Sequence, residues 1–544
     1  MIPHFIVCSM ILVRVLVGFH PHSGQDNYHG KDDGISYGGD YEAQRHWMEL
    51  TLHLPMRQWY TYDLEYWGLD YPPLTAYVSY LCGIGSSILV GPETVALLTS
   101  RGYEDPLHKA YMRATVLFFD VLIYFSAVWM LAKRLGDNDG TSWNRRRWWI
   151  FLMALLQPSI LLIDHGHFQY NTFSLGLALW SFHFITYRKK DSFNNFHYCI
   201  YGSIFFCLAL NFKQMILYYA PSIFAYLLGR CFTTTISNAS SNHTTTTTTV
   251  KQQFLFSRFL LLGVTVILTF GIVWMPFVIN RDPNETSLIN SLFQIIHRLF
   301  PFQRGLFEGK VANIWCALST KPISIRKRLS PTIQPILALA LTIIMMMPFC
   351  IKLFLLGKHW DKENTQTSQR QNHHHHQLCS FLWGSGGVAL SFFLASFQVH
   401  EKSILIPLAP LSLLFCISPL FVVWFSLVSL WTMWPLLLVD RLTIPYITCA
   451  IIFASVAYVY FQTFDEKPLH KAVSFGFIIS ILFMIVLHFM ELVLDPPQTL
   501  PDIYPVLFSL AGCGMFTLSW CYCCWELCWN SSYNMVQKSN TKID

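Results

Sequence analysis

Charge is scarce in this sequence. Of its 544 residues only 12% are Asp, Glu, Lys or Arg, against 53% hydrophobic and 16% aromatic. A soluble chain of this length needs far more charge to cover its surface, so a soluble globular enzyme is excluded. No long block of one sign occurs. The net charge of +6 is spread over loops, which argues against nucleic acid as a partner. A P-loop and a His-Glu-x-x-His zinc helix are both missing. The cysteines are scattered, many inside apolar runs, where they act as small hydrophobes. Cys521, Cys523, Cys524 and Cys528 cluster at the end of the last run and read as packing rather than lipidation sites.

What the chain has instead is a series of apolar runs near bilayer length. They predict an all-α polytopic membrane protein with about fourteen transmembrane helices. The first run, Phe5–Phe19, lacks the charged start and cleavage site of a signal peptide and reads as a retained helix. Asp120 sits mid-run in Tyr111–Leu131 and must face the bundle and pair, with a partner the sequence does not name. The basic clusters Lys133, Arg134 and Arg145–Arg147, and then Arg188–Lys190, place their loops in the cytosol. The N-terminus is then cytosolic, and residues 20–110, 164–172, 211–214, 280–332 and 398–402 share the opposite face. The expected organisation is a module 1–279 that includes the long loop 20–110, a second long loop 280–332, a transmembrane module 333–528 and a cytosolic tail 529–544. Tyr41–Leu54 and Leu288–Phe300 read as amphipathic helices in the two long loops, the latter interfacial. The threonine run Thr244–Thr249 cannot bury a core and reads as disordered. Val311–Ser319 is the one stretch whose reading as a short extra span would reverse the later topology. The sequon at Asn284 falls on the non-cytosolic side and is a glycosylation candidate.

The polar residues that remain gather on that one face. Asp40, Glu42, Arg45, His46 and Asp70 lie close together and are interleaved with Tyr41, Trp47, Trp59, Tyr60, Tyr62, Tyr66, Trp67 and Tyr71. Carboxylates accept bonds from hydroxyls, and ring faces cover the apolar faces of pyranoses, so this loop suits a sugar site. Asp40 can serve as a general base for an attacking hydroxyl. One carboxylate suffices if the sugar leaves on a phosphate, which departs as a stable anion. Asp40 can also simply cap the helix beginning at Tyr41. Asp70, before Tyr71-Pro72-Pro73, is either a turn former or a sugar ligand. Arg45 and His46 can meet an acidic donor or make i,i+3 and i,i+4 pairs with Glu42. His165 and His167 resemble a metal pair without a third ligand at convincing spacing, and hydrogen bonding at a helix end is the better reading. His400-Glu401-Lys402 puts three ionisable groups between apolar spans, an expensive placement that suggests function. Asp137-Asn138-Asp139 lies in a Gly-rich loop on the other face and reads as a turn. The run His373–His376 reads as low-complexity linker.

Six words carry a resemblance. They are Gly39-Asp40-Tyr41-Glu42-Ala43-Gln44-Arg45-His46-Trp47, Tyr66-Trp67-Gly68-Leu69-Asp70-Tyr71-Pro72-Pro73-Leu74-Thr75, Ser100-Arg101-Gly102-Tyr103-Glu104, Gly166-His167-Phe168-Gln169-Tyr170-Asn171, Arg304-Gly305-Leu306-Phe307-Glu308 and Gln398-Val399-His400-Glu401-Lys402-Ser403. With them the chain resembles the dolichol-pathway glucosyltransferases of the endoplasmic reticulum. Glu-Ala-Gln-Arg-His-Trp and Trp-Gly-Leu-Asp favour the branch adding the first glucose to the lipid-linked Man9GlcNAc2 oligosaccharide over the sister adding the second. The resemblance implies a C-type (GT-C) membrane glycosyltransferase fold with a lumenal active site. It also implies dolichyl phosphate glucose as donor, Man9GlcNAc2-PP-dolichol as acceptor and an α-1,3 linkage formed with inversion. No metal or other cofactor is implied, nor any partner beyond these lipids and the membrane, and a monomer is expected. Asp40 matches the family's general base. Glu42, Arg45, His46, Asp70, Tyr71, His167, Gln169, Tyr170, Arg304, His400, Glu401 and Lys402 are the substrate-binding candidates. The rival reading, a transporter or flippase for a lipid-linked sugar, predicts internal repeats and broken midplane helices; the sequence shows no repeat.

Overall fold

The computed structural model describes residues 2–27, 38–136, 143–188, 195–239, 247–279, 288–299, 311–320, 323–359, 367–464 and 471–530. Arg304, Asn284 and the Asp137–Asp139 turn lie outside them. The described chain is mostly helical, and it is a multi-pass membrane protein. Eight of its helices are long and apolar enough to cross a bilayer: Pro106–Gly136, Arg146–Phe168, Phe256–Ile279, Ile333–Lys358, His375–Ala395, Thr443–Thr463, Val473–Val493 and Ile503–Cys528. Shorter apolar helices accompany them at His4–Gly18, Pro73–Leu89, Phe196–Phe212 and Pro419–Thr432. Val311–Ser319 holds only the five-residue helix Ile314–Leu318, far too short to span.

Two departures from helical regularity set up the site. Pro106–Gly136 runs through a π-turn at Asp120–Phe125, and Arg146–Phe168 ends in another at Leu162–Phe168. Such turns widen the helix and occur often at functional sites. The first brings Asp120 to Arg14, whose Nε donates to Oδ2 at 2.5 Å, and to His165 Nε2 at 2.9 Å. All three are buried. The partner that Asp120 needed is therefore the arginine that interrupts the first apolar run.

Three expectations are corrected. The helix Asp40–His53 is not amphipathic in place: Tyr41 through Thr51 are all buried. Its charges can be buried because they neutralise one another. The described part of the threonine run is not disordered, since Thr247–Phe254 pairs antiparallel with Phe232–Ala239, Thr247 opposite Ala239 and Phe254 opposite Phe232; residues 244–246 lie outside the described residues. A two-stranded ladder needs backbone bonds and β-branched residues rather than a core. The histidine run is not linker, because His373–His376 falls inside the helix Thr367–Ala395, where His375 Nε2 donates to the Leu135 carbonyl at 3.0 Å. The expected helix near Leu288 spans Leu288–Leu299, with Ile295 and Leu299 buried against Trp59, Tyr60 and Phe277.

Candidate active site

Asp40 is the first residue of its helix, and its carboxylate does not cap it. The approach is tight. A Cβ on Gly39 would lie 2.2 Å from Ser23 Oγ, and Gly38 has a φ of +78° that glycine alone adopts without strain. Ser23 Oγ accepts from the Asp40 amide at 3.0 Å, which fixes where the side chain starts. The carboxylate, 23% exposed, is then held by three groups from distant stretches. His167 Nε2 donates to Oδ2 at 2.7 Å and Gln169 Nε2 at 2.5 Å, and Lys402 Nζ forms an ion pair with the same oxygen. Burial pushes the Asp40 carboxyl up, but Lys402 and His167 outweigh it and keep it well below the usual carboxylate range. Asp40 is an anion at any physiological pH.

The strand of contacts continues. His167 Nδ1 meets Asp440 Oδ2 at 2.5 Å, so both ring nitrogens face carboxylates, and Lys402 Nζ lies 3.1 Å from Nε2. The turn that presents His167 is strained, with Phe168 at φ +86°. It is anchored by Asp164, which accepts from Asn171 Nδ2 at 2.7 Å and the Thr172 amide at 2.6 Å. Lys213 Nζ donates to Gln169 Oε1 at 3.0 Å and Asn171 Oδ1 at 2.5 Å, and lies 4.9 Å above the Tyr71 ring. Burial and the charge of Lys402 bring its ammonium down to about 8, against the pull of Asp164, Asp40 and Asp70.

A cavity of about 730 Å³ opens beside Asp40. Asp40, Asp70, Tyr71, Gln169, His400 and Lys402 line it, together with Lys213 and Arg298, whereas His167 and Asp440 do not. Its far wall is apolar, built by Leu217, Phe392, Val399, Leu405 and Ile406. Arg298 reaches it from the helix Leu288–Leu299, which it ties to the Asp70 loop by donating to the carbonyls of Gly68 at 3.0 Å and Leu69 at 3.3 Å. A polar floor with several cations beside an apolar wall fits a lipid carrying a phosphate and a sugar.

Other candidates sit elsewhere. Arg45 donates to Glu42 at 2.6 and 2.8 Å, to Glu49 Oε2 at 2.8 Å and to Ser100 Oγ at 2.5 Å, and His46 Nδ1 meets Glu49 at 3.1 Å. Burial raises the Glu49 carboxyl, yet His46 and Arg45 prevail and bring it to about 2. Arg45 thus makes the i,i+3 pair with Glu42 that was the alternative reading, His46 pairs with Glu49 instead of Glu42, and none of Glu42, Arg45 and His46 lines the cavity. They clamp the Asp40 helix to the loop 94–102. Tyr170 bonds Thr115 Oγ1 at 2.6 Å away from the cavity, and Glu401 begins the short 3-10 helix Glu401–Ile404 without lining it. Lys213, Arg298 and Asp440 were missed. None of them stands in a recognisable word, so no local signal marked them. No group of three or more His, Cys, Asp or Glu suited to a metal occurs among the described residues.

Residues 10–522 match the profile of the ALG6, ALG8 glycosyltransferase family. The chain is 39% identical to the dolichyl pyrophosphate Man9GlcNAc2 alpha-1,3-glucosyltransferase of Gallus gallus, over 92% of each chain. It is 37% identical to that of Rattus norvegicus over 99% of this chain and 98% of the relative. Against that of Saccharomyces cerevisiae it is 34% identical over 98% of this chain and 93% of the relative.

Proposed function

As the chain belongs to the ALG6, ALG8 glycosyltransferase family, we propose that it transfers glucose from dolichyl phosphate glucose to dolichyl-pyrophosphate-linked Man9GlcNAc2. It is an α-1,3-glucosyltransferase of N-glycan precursor assembly. The observation that carries the mechanism is the set of Asp40, Lys213, Arg298, His400 and Lys402 around one cavity with an apolar wall. The enzyme is a monomer of the GT-C class in the endoplasmic reticulum membrane, with about fourteen spans by the hydropathy reading and its cavity open to the lumen.

The donor's prenyl tail lies along Leu217, Phe392 and Leu405, and its phosphate meets Lys402, His400 and Lys213. The acceptor's terminal mannose offers its 3-hydroxyl to Asp40. The carboxylate takes that proton as the oxygen attacks the anomeric carbon from the face opposite the phosphate. The C–O bond to phosphate breaks with inversion, and the leaving anion is stabilised by the cations already in place. Before the donor arrives Lys402 holds Asp40 and makes it a weak base. A donor phosphate competes for Lys402, so donor binding releases the base. No metal takes part in this scheme.

The test is a transfer assay with purified protein, synthetic dolichyl phosphate glucose and Man9 acceptor, with and without EDTA. Addition of one hexose in EDTA supports the reading. Transfer only to an acceptor already bearing one glucose points to the sister activity. No transfer to either, from folded protein, shifts weight to a lipid-sugar transporter.

A further inference from the structure

Asp40 and Tyr41 are neighbours in the chain but border different cavities. Tyr41, stacked on His22 at 3.8 Å, lines a second one of about 580 Å³ between the end of the first helix and the start of Pro106–Gly136. Val15 and Phe19, which line it, are 40% and 75% exposed. Three cations line its inside: Arg14, Lys109 and Arg113.

Arg14 is neutralised by Asp120. Arg113 is not neutralised. It is only 8% exposed; its Nη2 donates to the Gly166 carbonyl at 2.6 Å, while Nε and Nη1 are buried with no hydrogen-bond partner among the described residues. Leaving guanidinium donors dry and unmatched is costly, and a cavity beside them is where a missing acceptor would sit. Lys109 Nζ reaches a neutral group, Gln25 Oε1, at 3.1 Å. Asp26, Glu104 and Asp105 line the cavity too, and Glu104 and Asp26 act on Lys109, but each carboxylate has a hydrogen-bond partner of its own. Asp26 pairs with Arg441 at 2.9 Å, Glu104 accepts from the Asp26 amide at 3.1 Å, and Asp105 caps the helix at Leu107 and His108. His22 adds no positive charge of its own: burial, with Arg113 and Lys109, brings it down to about 3.

We propose that this cavity binds the phosphate of an anionic lipid. The phosphate oxygens accept from Arg113 Nε and Nη1 and from Lys109, and the tail leaves over Val15, Phe19 and Leu117. The chemistry is a lipid-borne phosphate, from a bilayer phospholipid or from a polyprenyl phosphate. It is a site separate from the catalytic cavity and does not depend on the reaction proposed there.

Native mass spectrometry of the full-length protein in detergent tests it, with three probes: citronellyl phosphate, short-chain phosphatidylinositol and uncharged citronellol. Wild type should take two equivalents of citronellyl phosphate, one per cavity, or one of them together with a retained phospholipid; the two outcomes identify the source. Lys109→Gln, which removes a half-buried charge, and Ala114→Trp, which fills the space, should each weaken one equivalent by about tenfold or more. Arg113→Leu should do the same but loses the Gly166 bond and can fail to fold, so the first two variants decide. Undiminished binding by both of them, or equal uptake of citronellol, overturns the proposal.

Discussion

Asp440 and Asp40 grip opposite edges of one imidazole: His167 meets Asp440 through Nδ1 at 2.5 Å and Asp40 through Nε2 at 2.7 Å. Asp40 therefore cannot turn without disturbing a ring that a third carboxylate-bearing segment holds. In the proposed mechanism Asp440 would thus act as a positioning residue for the base.

Asp40→Asn keeps the shape and removes the base. Turnover in a steady-state transfer assay should fall by roughly 10²–10⁴-fold, with little change in thermal unfolding. Near-normal turnover would refute the role given to Asp40.

Asp440→Asn should lower kcat by about tenfold or more while leaving KM for the donor nearly unchanged, because the ring it orients touches the base rather than the lipid. A rise in KM alone would mean that Asp440 acts on binding instead.

The pH profile should be asymmetric. Asp40, held below the usual carboxylate range, imposes no acid limb near neutrality. Lys213 is charged below about 8 and neutral above it, so donor-phosphate stabilisation is lost as pH rises through that value and the rate falls. Lys213→Arg, always protonated, should move this alkaline limb upward. In Lys402→Gln the Asp40 carboxyl loses its ion pair, so an acid limb should move up toward neutrality. A profile identical in all three proteins would count against both assignments.

Within the bundle, Arg14→Leu should destabilise by about 3–5 kcal/mol, because it leaves Asp120 charged and buried. The double change with Asp120→Leu should cost less than the single one. Thermal unfolding in one detergent measures both; equal melting points for wild type and Arg14→Leu would mean the pair contributes nothing.

Gly357 and Gly229 mark where two helices touch backbone to backbone. A Cβ at Gly357 would lie 2.2 Å from the Tyr226 carbonyl, and one at Gly229 2.2 Å from that of Phe354. Gly357→Ala should therefore cost about 1–3 kcal/mol in the same unfolding assay. Gly476→Ala, with open space around it, should not.

Reading the sequence went furthest where function is written in short words. Asp40, Asp70, Tyr71, Gln169, His400 and Lys402 were all recognised and share one cavity. It went less far where a residue acts alone: Lys213, Asp440 and Arg298 have no local pattern, and their partners are set by helix packing. Glu42, Arg45 and His46 failed as cavity residues for a different reason. A charged cluster near a site looks the same in sequence whether it meets substrate or itself, and burial alone separated the two. The π-turns and the Arg14–Asp120 pair likewise depend on which helices meet. Hydropathy predicted that there would be helices and told nothing of their pairing.

The ion pair between Asp40 and Lys402 joins residues 362 positions apart. Ribosomes add roughly 5–20 residues per second, so the proposed base waits on the order of 20–70 s for its cation to be made. During that interval a nascent chain carries its carboxylate but not its site, and cannot turn over donor. On the proposed mechanism, catalytic competence thus reports that about three quarters of the chain has been made, and a product truncated before residue 402 is expected to be inert however well its earlier helices had folded.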